Sequence, residues 1–203
     1  MKKYRIIPFV LIASFILALA GCSESQVQAT VPEIEFVAYG EQQCPKLITT
    51  NEDEIISVIN AEIEAQFQRL YDEGNGGNIQ TFTSSTETML SVLLKANNEI
   101  SYGTDGEVWG ICYDYINKMI VPCGAILSRS GYSYVDACKS IERILYEQGS
   151  YEYINIPCLY FDSSSDPVLV VVALEHPTGA DPWERIYHYS VDGNSFVDSP
   201  WFS

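Results

Sequence analysis

Basic residues are scarce in this chain. Its 203 residues hold 11 Lys or Arg against 27 Asp or Glu, a formal charge of −16. A phosphate backbone needs cations to neutralise it, so nucleic acid is excluded as a partner. Histidine is scarcer still, with only His176 and His188. No GxSxG, HExxH, HxH or phosphate-cradling glycine loop occurs, which removes the usual signatures of serine hydrolases, zinc proteases and nucleotide enzymes. No CxxC pair is present, so neither a dithiol redox motif nor a zinc site is indicated, and no metal or cofactor is expected. The longest apolar run, Ile6 to Ala20 with Pro8 and Ser14 inside it, is shorter than the roughly 20 residues a helix needs to span a bilayer. Hydrophobic residues at 47% and charged ones at 19% nonetheless supply a core, which excludes a wholly disordered chain.

What is present begins with an export pattern. Met1-Lys2-Lys3-Tyr4-Arg5 is a positive start, the apolar run follows, and Leu19-Ala20-Gly21-Cys22 closes it. That order is the pattern of a secretory signal. The last four residues resemble a bacterial lipobox, which implies cleavage after residue 21 and a diacylglyceryl group on Cys22. A buried methylene stabilises by roughly 0.8 kcal/mol and two chains hold where one exchanges, so the expectation is a cell-membrane anchor with the domain facing the extracytoplasmic side. Cleavage removes three cations, leaving 8 against 27 carboxylates, a charge of −19.

Residues 22–47 read as a polar tether, with Ile34-Glu35-Phe36-Val37 as a first strand, and 48–203 as a single domain. Asn51 suits a helix N-cap, with Glu54 three residues on. Ile55, Ile56, Ile59, Ile63, Phe67 and Leu70 then recur at helical spacing up to the stop at Gly74-Asn75-Gly76-Gly77. Leu90, Val92 and Leu94 alternate as in a strand, as do Trp109, Ile111, Tyr113 and Tyr115, with Asn117-Lys118 as a turn. A second helix is expected over 133–148, with Val135, Cys138, Ile141 and Leu145 on one side and Gly149 as the stop. Strands follow near 152–161, 167–175 and 184–191. Val168 to Leu174 is uninterrupted apolar sequence and belongs in the middle of a sheet, while Pro157 fits only an edge or a break. No internal repeat is visible. The order predicts an α+β fold, two amphipathic helices packed on a largely antiparallel sheet.

With Cys22 lipidated, Cys44, Cys112, Cys123, Cys138 and Cys158 remain. Five thiols outside the cytoplasm predict two disulfides and a spare, with on the order of fifteen arrangements open. Were Asn117-Lys118 a two-residue turn, Cys112 and Cys123 would face each other at disulfide distance. Cys138 and Cys158 form the other candidate pair, although Cys138 also reads as a small buried hydrophobe.

The remaining chemistry is sparse. His188 alternates on a strand, where a packed or surface histidine is expected. Asp162-Ser163-Ser164-Ser165-Asp166 and Asp105-Gly106-Glu107 are oxygen-rich but lack the DxDxDG spacing of a calcium loop, and Asp and Ser dominate ordinary turns. Fourteen Tyr include the alternating pairs Tyr113/Tyr115, Tyr132/Tyr134, Tyr151/Tyr153 and Tyr187/Tyr189. They suit either a recognition surface or rings capping a sheet against helices.

Tyr113-Asp114-Tyr115-Ile116-Asn117-Lys118-Met119-Ile120 followed by Ile126-Leu127 resembles a strand–turn–strand signature. It is that of the paired domains of unknown function in lysozyme-sensing anti-sigma factor ectodomains and some peptidoglycan deacetylases. The early helix with Ile59-Asn60-Ala61-Glu62-Ile63, then Met89-Leu90-Ser91-Val92, then a final strand pair from Tyr187 to Val191, follows the same order over residues 48–195. Where that family often carries Gly-Gly-Ala-His-Gly, this chain reads Ser101-Tyr102-Gly103-Thr104-Asp105-Gly106. The resemblance implies a binding or sensing module without chemistry of its own. Its partner would be a cationic, lysozyme-like protein or peptidoglycan, which the −19 charge would steer. The alternative is a small cell-wall hydrolase working through a carboxylate pair.

Overall fold

The computed structural model describes residues 31–49, 54–73, 78–97, 104–149, 151–176, 179 and 181–200. The signal segment 1–21, Cys22 and the Asn51 cap lie outside them. Among the described residues ten strands and three helices follow in order: β1 (Glu33–Tyr39), β2 (Gln42–Ile48), α1 (Glu54–Glu73), β3 (Ile79–Ser85), β4 (Met89–Ala96), β5 (Glu107–Asp114), β6 (Met119–Ile120), α2 (Cys123–Arg129), α3 (Tyr134–Gln148), β7 (Tyr151–Phe161), β8 (Pro167–Glu175), β9 (Trp183–Ser190) and β10 (Ser195–Val197). The class is α+β and every named ladder is antiparallel. The expected single sheet is instead three: a β1-β2 hairpin and the meanders β3-β4-β5-β6 and β7-β8-β9-β10. A third, short helix, α2, joins the two expected ones.

Of the segment read as tether from 22 to 47, the described part is strand from Glu33 on. Residues 33–48 form the β1-β2 hairpin, and β2 buries Cys44 and Leu47 against α1. Asn60 on α1 fastens it by accepting from Leu47 N at 2.8 Å and donating to Leu47 O at 2.9 Å. Ile34-Glu35-Phe36-Val37 falls on β1, as expected of a first strand, whereas β2, beyond the short turn of Gly40 at φ +60 and Glu41, was not anticipated.

Four layers result. Ile56, Ile59, Ile63, Phe67 and Leu70 of α1 pack on Leu90, Val92, Leu94, Ile111 and Tyr113, one face of the first meander. The opposite face, with Leu93 and Val108, meets Cys158, Tyr160, Val168 and Val170 of the second meander. The far side of that sheet, Leu159, Phe161, Leu169, Val171, Ala173 and Tyr189, is covered by Ile126 and Leu127 of α2 and by Ala137, Ile141 and Leu145 of α3. Side chains alternate across a strand, so β4 and β8, sandwiched on both faces, are buried almost throughout. Strand β7, the edge of its sheet, lies across β5, β4 and β3. Pro157 sits on this edge strand where the register slips between Asn155 and Cys158. The crossing is tightest at Gly110, where a Cβ would fall 2.6 Å from Cys158 Cβ. Only glycine fits there.

Each half is therefore a helix followed by a four-stranded meander, a repetition the sequence conceals. Equivalent four-residue turns close the last hairpins, at 115–118 and 191–194. Asp114 Oδ1 accepts from Asn117 N at 2.8 Å, and Ser190 Oγ accepts from Gly193 N at 3.1 Å. Each turn ends on a left-handed residue, Lys118 at φ +52 and Asn194 at φ +48. Tyr113 and Tyr189, one position before the capping residue in each half, are 2% and 1% exposed.

Candidate functional site

The four-residue turn corrects the expected Cys112–Cys123 disulfide. Tyr113 pairs with Ile120 and Asp114 with Met119, so Cys112 lies opposite Val121, whose N–H donates to Cys112 O at 3.0 Å. Cys123 falls two residues further on, as the first residue of α2. Cys138 and Cys158 are not bonded either; Cys44, Cys112, Cys123, Cys138 and Cys158 are all thiols.

The same cysteines nevertheless converge. Cys112 from β5, Cys123 from α2 and Cys158 from β7 line one cavity of about 350 Å³, together with Gly110, Ile120, Val121 and Tyr134. Cys138 adjoins it through a side-chain hydrogen bond with Tyr134. Cys112 Sγ lies 3.6 Å from both Ser91 Oγ and Leu159 O. Burial pushes Cys112 up to about 12 and Cys123 up to about 11, and Cys158, wholly enclosed, well above its ordinary value. All three are thiols rather than thiolates at neutral pH. Cys44 stays apart, in the core under α1.

A second cavity, about 450 Å³, opens at the hairpin-turn end of the molecule. Thr86, Glu87, Met89, Arg129, Ser130 and Ser165 are among its lining residues. Arg129 is spoken for, since it grips the buried Asp114 at 2.6 Å. Burial pushes the Asp114 carboxyl upward, but hydrogen bonds from Asn117 and the Arg129 guanidinium outweigh it and hold the group below its ordinary value.

Between the sheets lies a polar inclusion. Lys95 and His188 are 5% and 3% exposed. Burial, aided by the Lys95 charge, drops His188 to about 4, and burial lowers Lys95 while Asp105 opposes that shift. Asp105 is a clamp: it accepts from Trp183 Nε1 at 2.9 Å and from Ile186 N at 3.1 Å, fixing the start of β9 to the segment before β5. The other oxygen-rich loop is a turn, in which Asp162 Oδ1 accepts from Ser164 N at 2.8 Å and Asp166 N at 3.0 Å. Among the described residues no group of three His, Cys, Asp or Glu is arranged to hold a metal ion.

No family model and no curated protein matches this chain.

The tyrosine pairs mostly cap sheets. Tyr113 and Tyr115 are buried under α1, Tyr187 stacks on Phe196 at 4.8 Å, and Tyr189 meets the same ring edge-on. Tyr132 reaches out to Asp192 and Tyr134 lines the thiol cavity. The Tyr153 side chain lies outside the described set. His176 contacts Glu152 at 3.1 Å on the surface. Sequence reasoning missed the inclusion around Lys95. Its one signal was Leu93, an apolar residue in the row that should have faced water.

Proposed function

We propose that this is a lipid-anchored extracytoplasmic binding or sensing module, non-catalytic, whose acidic domain recruits a cationic protein or a cell-wall component. The observation that carries the reading is how the cations are used. Eight follow Cys22. Arg69 pairs with Glu73 and Glu107, Arg129 with Asp114, Lys139 with Asp136, Arg143 with Glu147 and Arg185 with Glu175. Lys95 is buried. Five of the eight cations are thus paired with the chain's own carboxylates and a sixth is buried, while Lys46 and Lys118 are exposed, so few cations offset the −19 excess at the surface.

Such an excess raises the local concentration of a cationic partner and repels anionic ones, over about one Debye length of roughly 8 Å at physiological salt. At the turn end, Glu87, Asp162 and Asp192 are exposed on three neighbouring hairpin turns. Lipidation at Cys22 would hold this surface at the membrane, where a soluble cationic protein or the wall comes within reach.

The test is capture. Soluble residues 23–203 are incubated with lysozyme and with wall fragments at low salt. Retention of either supports the module, and empty lanes throughout overturn it. For the anchor, labelled palmitate enters the wild-type chain and fails to enter Cys22→Ala; equal labelling of both removes Cys22 from the account.

A further inference from the structure

We propose that Cys123 and Cys158 form a thiol–disulfide exchange site, in which Cys123 takes up a low-molecular-weight disulfide and Cys158 resolves the adduct into an intramolecular disulfide. This does not rest on the binding reading. It rests on three elements bringing their thiols to one cavity of about 350 Å³.

The roles follow from access and engagement. Cys123 is only half-buried, at the start of α2 between Pro122 and Gly124, and both neighbours line the same cavity. Cys158 is buried at the cavity wall, over Gly110, where its Sγ would stand 3.1 Å from an added Cβ. Glycine at 110 therefore makes the room that Cys158 occupies. Cys112 is buried and engaged, with Ser91 Oγ and Leu159 O both 3.6 Å from its sulfur. Cys138 is hydrogen-bonded to Tyr134 and does not line the cavity, and Cys44 lies in the other core. The remaining lining, Ile120, Val121, Ile156 and Pro157, offers an apolar chamber to the incoming group.

The exchange balances with a disulfide RSSR as oxidant. Cys123 loses its proton to solvent and attacks one sulfur of RSSR, giving Cys123–S–S–R and a thiolate that is protonated to RSH. Cys158 then loses its proton, attacks the Cys123 sulfur and expels the second RSH. Two protein thiols are oxidised to one disulfide, and one RSSR is reduced to two RSH. Because burial lifts Cys123 to about 11, exchange is slow at neutral pH and quickens about tenfold per pH unit up to that value. The product ties α2 to β7, the edge strand of the second meander, and closes the loop that contains α3.

The experiment uses the reduced full-length chain in detergent, exposed to glutathione disulfide and to the smaller hydroxyethyl disulfide, quenched by alkylation and read by mass spectrometry. Expected are a loss of about 2 Da, one crosslinked peptide joining Cys123 to Cys158, and a melting temperature higher by roughly 5–15 °C. Cys158→Ser should stop at the mixed disulfide on Cys123; if it fails to fold, Cys158→Ala replaces it. Cys123→Ser should react at least about tenfold more slowly, and Cys44→Ser as the wild type. A crosslink from Cys123 to Cys112 or Cys138, an unreactive Cys123, or an unchanged rate in Cys123→Ser would each overturn the proposal.

Discussion

Helix α1 buries five large side chains, Ile56, Ile59, Ile63, Phe67 and Leu70, whereas α3 buries only Ala137, Ile141 and Leu145. Both cover a four-stranded meander, so the contrast isolates what each sheet requires of its helix. The first sheet presents aliphatic Leu90, Val92 and Leu94 and is sealed by the helix and the β1-β2 hairpin. The second supplies its own bulk through Tyr187, Tyr189 and Phe196 and borrows α2 as a second lid. At roughly 1.5–3 kcal/mol for each large apolar side chain fully buried, α1 holds its sheet with more free energy than α3 does. The prediction is that the second half opens first.

The contact both halves share is the place to break them together. Gly110→Val drives a side chain into Cys158 and should cost about 4 kcal/mol or more, seen as loss of soluble protein or a collapsed unfolding midpoint. Normal stability would mean that β7 does not cross β5 there. Next in size are the paired truncations. Phe67→Ala should cost about 4 kcal/mol and Ile141→Ala about 3 in urea unfolding. Equal costs would erase the contrast between the helices.

Acid tests the seam. His188 has a folded value near 4 against an ordinary 6.5, so at pH 7 both states are neutral and the histidine is silent. As pH falls from 6.5 towards 4 the unfolded chain takes a proton that the folded one refuses, and up to about 3 kcal/mol of stability is lost. His188→Phe should flatten that part of the stability profile, and an unchanged profile would take His188 out of the seam. Asp114 acts with the opposite sign and lower down. Its folded value is depressed, so its contribution is present above the ordinary carboxylate range and disappears as pH drops through the folded value. Asp114→Ala should cost about 2 kcal/mol and loosen the 115–118 turn, readable by hydrogen exchange at Asn117. The smallest effect belongs to the hairpin: Asn60→Ala should cost about 1.5 kcal/mol and raise exchange in β2 without touching β8.

Much of this architecture was legible where burial is one-sided or total. The α1 stripe gave its helix, Ser133 and Gly149 gave both ends of α3, and the unbroken Val168–Leu174 run gave a central strand. What hid was whatever depends on partners far away in sequence. The turn at 115–118 could not be sized from Asn117-Lys118, because a lysine gives no sign that it will adopt φ +52, and that error displaced Cys123 by two positions. The duplication hid because equivalent positions ask only for similar shape. Asp114 and Ser190 cap alike with different side chains, and Lys118 and Asn194 turn alike. The thiol cavity was half legible. Two separate pairs were expected, Cys112 with Cys123 and Cys138 with Cys158; instead Cys112, Cys123 and Cys158 line one cavity, through the crossing of β7 over β5, which no local pattern encodes.

Whether charge recruits the partner is read most directly by titrating residues 23–203 with lysozyme at about 50 and about 500 mM salt. With most cations paired to the chain's own carboxylates and a net charge of −19, the predicted dissociation constant rises at least about tenfold with salt. An affinity that is the same at both concentrations would contradict an electrostatic module.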